Sequence, residues 1–196
     1  MNLSRFLPAH RLTFTRLVPV AIVLAFWLLG MRPVPLLLLA GTALALAGQA
    51  LRLWAAGHLT KSSVLAVTGP FAHTRHPLYL GSALIGLGLC VASGIWWSFL
   101  LVAVVFALFY LPTVAAEEEW LRDTYGESYD RYREAVPAVG VRLSGYRPAE
   151  APGALAAECG FGWGRILRNK EHHTVVATLL LLGALWARLL FAGGGG

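Results

Sequence analysis

The chain has 196 residues, 57% of them hydrophobic and only 13% charged, with a formal net charge of +6. A soluble domain carries about a quarter charged residues, so this composition, with a mean hydropathy of +0.64, excludes an ordinary cytosolic globule. Seven Trp and nine Phe exclude a disordered chain, and two cysteines with no CxxC or CxxH neighbour exclude a disulfide scaffold or a structural zinc site.

Arg5, Arg11 and Arg16 precede a first apolar stretch, residues 17–31; no small-residue cleavage site follows it, so it reads as a span rather than a leader. Pro33 and Pro35 turn the chain into a second stretch, 33–51. A polar loop then leads to a third, 77–92, and Ser93-Gly94 turns it into a fourth, 95–116. A charged segment and a Pro/Gly/Ala-rich link, 148–164, precede the fifth, 174–192. A bilayer core takes roughly 20 helical residues. The second, fourth and fifth stretches reach that, whereas the first and third must borrow flanking residues, tilt, or be shielded by neighbours. The predicted fold is an all-α integral membrane helical bundle of about five transmembrane helices, forming one domain over 1–196.

The charge map orients the bundle. All ten acidic residues lie between Glu117 and Glu171. The N-terminal arm, the loop from Arg52 to Arg75 and the segment from Glu117 to His173 together hold 14 of the 16 cations. With five spans these three regions share one face, which the positive-inside rule makes cytoplasmic, N-terminus included. The protein is therefore expected to be multi-pass, with its N-terminus on the cytoplasmic face. Two loops, 52–76 and 117–173, share that face, and chemistry with a water-soluble cosubstrate belongs there.

The first loop ends Gly69-Pro70-Phe71-Ala72-His73-Thr74-Arg75-His76-Pro77-Leu78-Tyr79-Leu80-Gly81. Pro77 suits the first position of a helix, where a missing N–H costs nothing. That helix end presents free N–H groups and a positive dipole end, with Arg75 and His76 at its mouth. The second loop opens with Glu117-Glu118-Glu119. Glu117 shares a helix face with Leu121, while Glu118 points about 100° away. Such carboxylates either face a pocket or pair with Arg75 or Arg122. Gly126 breaks the helix, and Tyr125, Tyr129 and Tyr132 recur as an amphipathic stripe expected on the membrane surface or the helix ends. His58, His73, His76, His172 and His173 raise a metal site, but no HExxH lies on a helix and adjacent His172 and His173 should diverge, so no metal is expected. Arg165 to Lys170, beside Trp163, reads as an interfacial anchor.

The run Gly69-Pro70-Phe71 … Arg75-His76-Pro77-Leu78-Tyr79-Leu80-Gly81, followed by Glu117-Glu118-x-x-Leu121, Tyr125-Gly126-x-x-Tyr129-x-x-Tyr132 and Val136-Pro137, resembles the isoprenylcysteine carboxyl methyltransferase and phospholipid methyltransferase superfamily over about residues 50–140. The resemblance implies a methyltransferase that uses S-adenosyl-L-methionine without a Rossmann fold. Its cofactor lies at the cytosolic helix ends, and its acceptor, a lipid or small hydrophobic molecule, arrives through the bilayer. It also implies that Ser63, Val64, Leu65, Ala66, Phe71, His73, His76, Pro77, Leu78 and Tyr79 line the cofactor pocket. Glu117 is then the cofactor-facing carboxylate and Glu118 its weaker neighbour. Arg75 and His76 carry the catalytic roles, with His76 or His73 as base only where the acceptor must lose a proton. Phe71 stands where many relatives have Tyr. Residues 111–114, Leu-Pro-Thr-Val, carry no cation where a human-type prenylcysteine enzyme has an Arg, which argues against a prenylcysteine carboxylate as acceptor.

Two other readings compete. A sterol-reductase-like enzyme would bind NADPH, with Arg131, Arg133 and Arg142 as the phosphate cluster. A non-enzymatic membrane scaffold would use the motif structurally. No P-loop or nucleic-acid motif appears, and orientation in the membrane explains the basic balance.

Overall fold

The computed structural model describes residues 17–60, 65–147 and 160–193, and every regular element among them is helical. In chain order these are α1 (Leu17–Leu28), α2 (Pro35–His58), a 3₁₀ turn (Gly69–Ala72), α3 (Pro77–Ser93), a long continuous helix α4 (Trp96–Tyr125), α5 (Glu127–Ala135), the short α6 (Trp163–Arg168) and α7 (Glu171–Gly193). Three of them, α2, α4 and α7, are long and apolar enough to cross a membrane; α1 and α3 are the shorter apolar helices. The protein is an all-α integral membrane bundle. The N-terminal arginines Arg5, Arg11 and Arg16, and with them Ser63, Val64 and the 148–159 part of the link, lie outside the described residues.

The turns follow the sequence signals. Gly30 and Gly94 both take positive φ (63° and 65°) where one helix gives way to the next, a backbone region that favours glycine. Pro35 and Pro77 each occupy the first position of a helix. In α4 the proline at 112 has no N–H to donate and its ring crowds the preceding turn. The helix widens to a π-helical segment at Phe106–Tyr110 just before it. Thr113 Oγ1 donates to Phe109 O there at 2.6 Å.

The chain forms two compact units. The first gathers Met1–Gln49, Ser82–Thr113 and Thr174–Gly196. Its core is Val23, Phe26, Leu38, Ile85, Leu89, Leu182 and Leu185. Here α2 and α3 meet backbone to backbone: a Cβ on Gly41 would overlap the Ala92 backbone, and one on Gly88 would meet Ala45. Small residues at this spacing allow the close approach that apolar helices in lipid need. Polar side chains join α7 to the same unit. Trp27 Nε1 donates to Ala184 O at 3.1 Å, Trp186 Nε1 to Thr42 Oγ1 at 3.0 Å, and Thr178 Oγ1 to Gln49 Oε1 at 3.1 Å.

The second unit comprises Ala50–Gly81 and Val114–His173. Its core is Leu65, Tyr129, Tyr132 and Val136, with Val67, Leu121, Tyr125 and Tyr146 packed around them. The tyrosine stripe therefore forms an interior, not a surface in contact with the membrane. The reason is local: Gly126 (φ 51°) turns α5 away from α4, and the stripe closes on the chain leading into the Gly-Pro turn.

Candidate active site

All the chemistry-bearing residues of the two loops fall in the second unit. Thr68, Gly69 (φ 60°) and Pro70 start the 3₁₀ turn, which buries Pro70, Phe71 and Ala72. The segment 137–146 then holds the turn's exit. Arg75 N donates to Pro137 O, Arg142 N to His73 O and Tyr146 N to Ala72 O, each at 2.9 Å. Tyr132 Oη, itself buried, donates to Phe71 O at 2.7 Å. These bonds fix the backbone that delivers Arg75 and His76 to the start of α3.

At that point a carboxylate gathers three cationic or hydrogen-bonding groups. Glu118 Oε1 lies 3.1 Å from Arg75 Nη2 and 3.0 Å from His76 Nε2, and Arg133 Nε stands 3.9 Å from Oε2. An N–H on His76 Nε2 donating to this carboxylate leaves Nδ1 as the ring's acceptor. One turn into α3, Tyr79 Oη donates to Glu117 Oε2 at 2.8 Å, and the Tyr79 and His76 rings lie 5.7 Å apart. Glu117 is exposed and Glu119 likewise, whereas the Glu118 side chain is only 17% exposed. The helical offset expected from the sequence thus separates the two carboxylates by environment. Glu118 is the inner one, held by Arg75, and Glu117 is the outer one, held by tyrosine.

Not every donor in this cluster is used. Among the described residues, Arg75 Nε and Nη1 and the Tyr129 hydroxyl are buried without a hydrogen-bond partner. Burial raises the Tyr129 phenol above its usual range, and the charge of Glu118 pushes the same way. Burial likewise raises Tyr132. Both hydroxyls therefore stay protonated and remain donors at any physiological pH.

Of the sequence candidates, Arg75, His76, Tyr79, Glu117 and Glu118 come together, with Pro77 buried beneath them. Leu65 enters the tyrosine core, with Ala66 half-buried next to it in the chain, and Phe71 contributes its carbonyl to Tyr132. Leu78 contributes its carbonyl to Arg52 Nη1 at 3.0 Å. His73 has other partners: its Nδ1 lies 2.7 Å from Arg142 O, and its ring is 6.4 Å from Trp54. His172 and His173, expected to diverge, have their rings 4.1 Å apart. Among the described residues no group of three His, Cys, Asp or Glu is placed to hold a metal ion.

Sequence reasoning missed Arg133 as a partner of Glu118, Tyr129 as a donor, and the backbone bonds by which the 137–146 segment holds the turn. The tyrosine spacing marked a buried face, and Val136-Pro137 marked the turn. Neither says which hydroxyl finds a partner. It also missed a buried tie, in which Arg52 Nη2 donates to Glu171 Oε2 at 2.9 Å and also contacts Oε1.

The fold and the cluster define a class: an all-α membrane protein whose polar groups converge where an apolar helix begins. A family model described as phospholipid methyltransferase matches residues 35–128. The protein-S-isoprenylcysteine O-methyltransferase of Schizosaccharomyces pombe is 33% identical over 100 residues, covering 51% of this chain and 42% of that protein. The cobalt-zinc-cadmium resistance protein CzcN of Cupriavidus metallidurans is 34% identical over 156 residues, covering 74% and 70% respectively. The nickel-cobalt-cadmium resistance protein NccN of Alcaligenes xylosoxydans xylosoxydans is 36% identical over 100 residues, covering 49% and 46%. The match spans less than half the length of two of these relatives. No solved structure matches the chain. The chain belongs to the phospholipid methyltransferase and isoprenylcysteine carboxyl methyltransferase superfamily of membrane proteins.

Proposed function

We propose that this protein transfers a methyl group from S-adenosyl-L-methionine to a lipid or small hydrophobic acceptor at the cytoplasmic face of the membrane. The observation that carries the reading is the set of unused buried donors, Arg75 Nε and Nη1 with Tyr129 Oη, beside a Glu118 already neutralised by Arg75. Buried donors without partners cost free energy unless a ligand takes them up. A carboxylate matches them in charge, and its two oxygens can accept from one guanidinium N–H and from the phenol. Close by in the chain, the exposed carboxylate of Glu117, oriented by Tyr79, suits an ammonium or sulfonium. S-adenosyl-L-methionine carries all three groups, and when bound it supplies an electrophilic methyl for in-line displacement.

In this reading Arg75 and Tyr129 bind and orient the donor's carboxylate, and Glu117 faces its cationic end. Glu118 does not bind the donor; it fixes Arg75 and His76. His76, with Nε2 committed to Glu118, offers Nδ1 to take a proton where the acceptor has one to lose. The remaining contribution is positioning and exclusion of water rather than electrophilic activation. The reductase reading loses support because its three arginines are engaged. Arg131 pairs with Glu127, Arg133 reaches Glu118, and Arg142 donates to Ala135 O and Ser144. The basic loops on one side of the spans support the cytoplasmic placement.

The test is transfer of radiolabel from methyl-labelled S-adenosyl-L-methionine into the lipid-extractable fraction of membranes holding the protein. Label should appear with the wild type and fall at least about tenfold in Glu117→Gln, the loss expected when one charge-assisted contact to the donor goes. Glu119→Gln should be unaffected. Equal labelling in wild type and Glu117→Gln would contradict the assignment.

A further inference from the structure

The segment from Gly160 to Glu171 has no part in the proposed methyl transfer, yet it is firmly built. Gly162 N donates to Gly57 O at 2.9 Å, and Asn169 Nδ2 donates to Ala56 O (2.9 Å) and Leu59 O (3.0 Å). The bonds to Ala56 O and Gly57 O cap carbonyls at the end of α2 that its own helix cannot satisfy, and the third holds the residue that follows it. The Phe161 ring packs on Gly57, where no side chain would fit, and lies 5.7 Å from His58.

What this fixed segment presents outward is uniform in character. Trp163 is 77% exposed, Leu167 64% and Phe161 44%. Arg168 and Lys170 are exposed, and neither makes an ion pair among the described residues. Glu171 is the one acid from Gly160 onward, and it is buried against Arg52. The exposed charge is therefore positive only, set beside aromatic and leucine side chains. Depth is fixed as well: the membrane-crossing helix begins at Glu171, so Trp163 to Lys170 lie within a turn or two of the bilayer surface. Exposed Trp is the residue type that settles at that level.

We infer that Arg168 and Lys170, with Trp163 and Leu167 inserted beside them, form a docking site for the headgroups of acidic glycerophospholipids in the surrounding bilayer. The cations meet the phosphate and any further acidic group of the headgroup, while the aromatic and leucine side chains take up the adjoining acyl chain. This inference does not depend on the methyltransferase reading.

The test uses the whole protein reconstituted into bilayers of brominated phosphatidylcholine or brominated phosphatidylglycerol. Quenching of the Trp163 component is obtained as the difference between wild type and Trp163→Phe. The wild type should favour phosphatidylglycerol over phosphatidylcholine at this reporter by about fivefold or more. That ratio should fall toward one in Arg168→Gln/Lys170→Gln and, with the unaltered protein, at about 1 M salt, where charges are screened beyond ~3 Å. A wild-type ratio of one, or a double variant that keeps the full preference, would overturn the inference. So would an Arg168- and Lys170-dependent dimer in phosphatidylcholine alone, which would assign the face to a second copy of the chain.

Discussion

Glu118 is the residue on which the site turns. Its carboxylate is the common partner of Arg75, His76 and Arg133. Removing its charge leaves a guanidinium that is 10% exposed without its counter-ion. Glu118→Gln should therefore lower stability by about 2 kcal/mol, the worth of a charged hydrogen bond in partial burial, whereas Glu119→Gln should leave the melting temperature unchanged. Thermal unfolding in detergent measures both; equal shifts would contradict the central place of Glu118. The tyrosines give a second check. Folding raises the Tyr129 and Tyr132 phenols, so the folded state holds those protons more tightly than the unfolded chain does. Their stabilising contribution is complete below the ordinary tyrosine value of about 10 and is lost as pH rises through the folded values. An ultraviolet titration should show Tyr129 and Tyr132 ionising later than the less buried tyrosines, with alkaline unfolding following. A single transition near the ordinary value would contradict their burial.

At the scale of elements, much was readable because punctuation and hydropathy act locally. Pro77 opens α3, Gly94 ends the turn after it, and Gly126 separates α4 from α5. The spans 33–51, 95–116 and 174–192 each lie almost wholly within a helix long enough to cross a membrane. What stayed hidden depends on partners distant in sequence. Nothing in the apolar run of α2 announces that Arg52 pairs with Glu171, 119 residues away. Nor does the tyrosine stripe reveal that it closes on Leu65 and Phe71 instead of lying on the membrane. The Arg52–Glu171 tie lies within the second unit. Arg52→Ala or Glu171→Ala should each cost about 3 kcal/mol, because each strands a buried charge, while Arg52→Met/Glu171→Leu should recover much of that loss. Chemical denaturation of the three variants measures it. A double variant no better than the worse single would mean the ion pair itself, not the stranded charge, sets the effect.

For the whole molecule, composition and charge placement decided the class before any contact was known. A chain with 13% charged residues and five apolar stretches has few options other than a helical bundle in lipid. The candidate site was legible as a set of residues: Arg75, His76, Tyr79, Glu117 and Glu118 do converge. Their division of labour was not. From sequence Glu117 and Glu118 differ only by a helical offset, and the environment that separates them is built by Arg75, Arg133 and Tyr79. The unpartnered donors of Arg75 and Tyr129 could be seen only once the fold had buried them. These donors, with Glu117, carry the claim that the site takes S-adenosyl-L-methionine. The most direct measurement is calorimetric titration of the detergent-purified protein with S-adenosyl-L-methionine, with NADPH in parallel. Micromolar binding of S-adenosyl-L-methionine is expected, a ΔG of about −8 kcal/mol, weakened at least about tenfold in Tyr129→Phe through loss of one charge-assisted hydrogen bond. Binding of NADPH in its place, or wild-type affinity for S-adenosyl-L-methionine in Tyr129→Phe and Arg75→Gln alike, would contradict it.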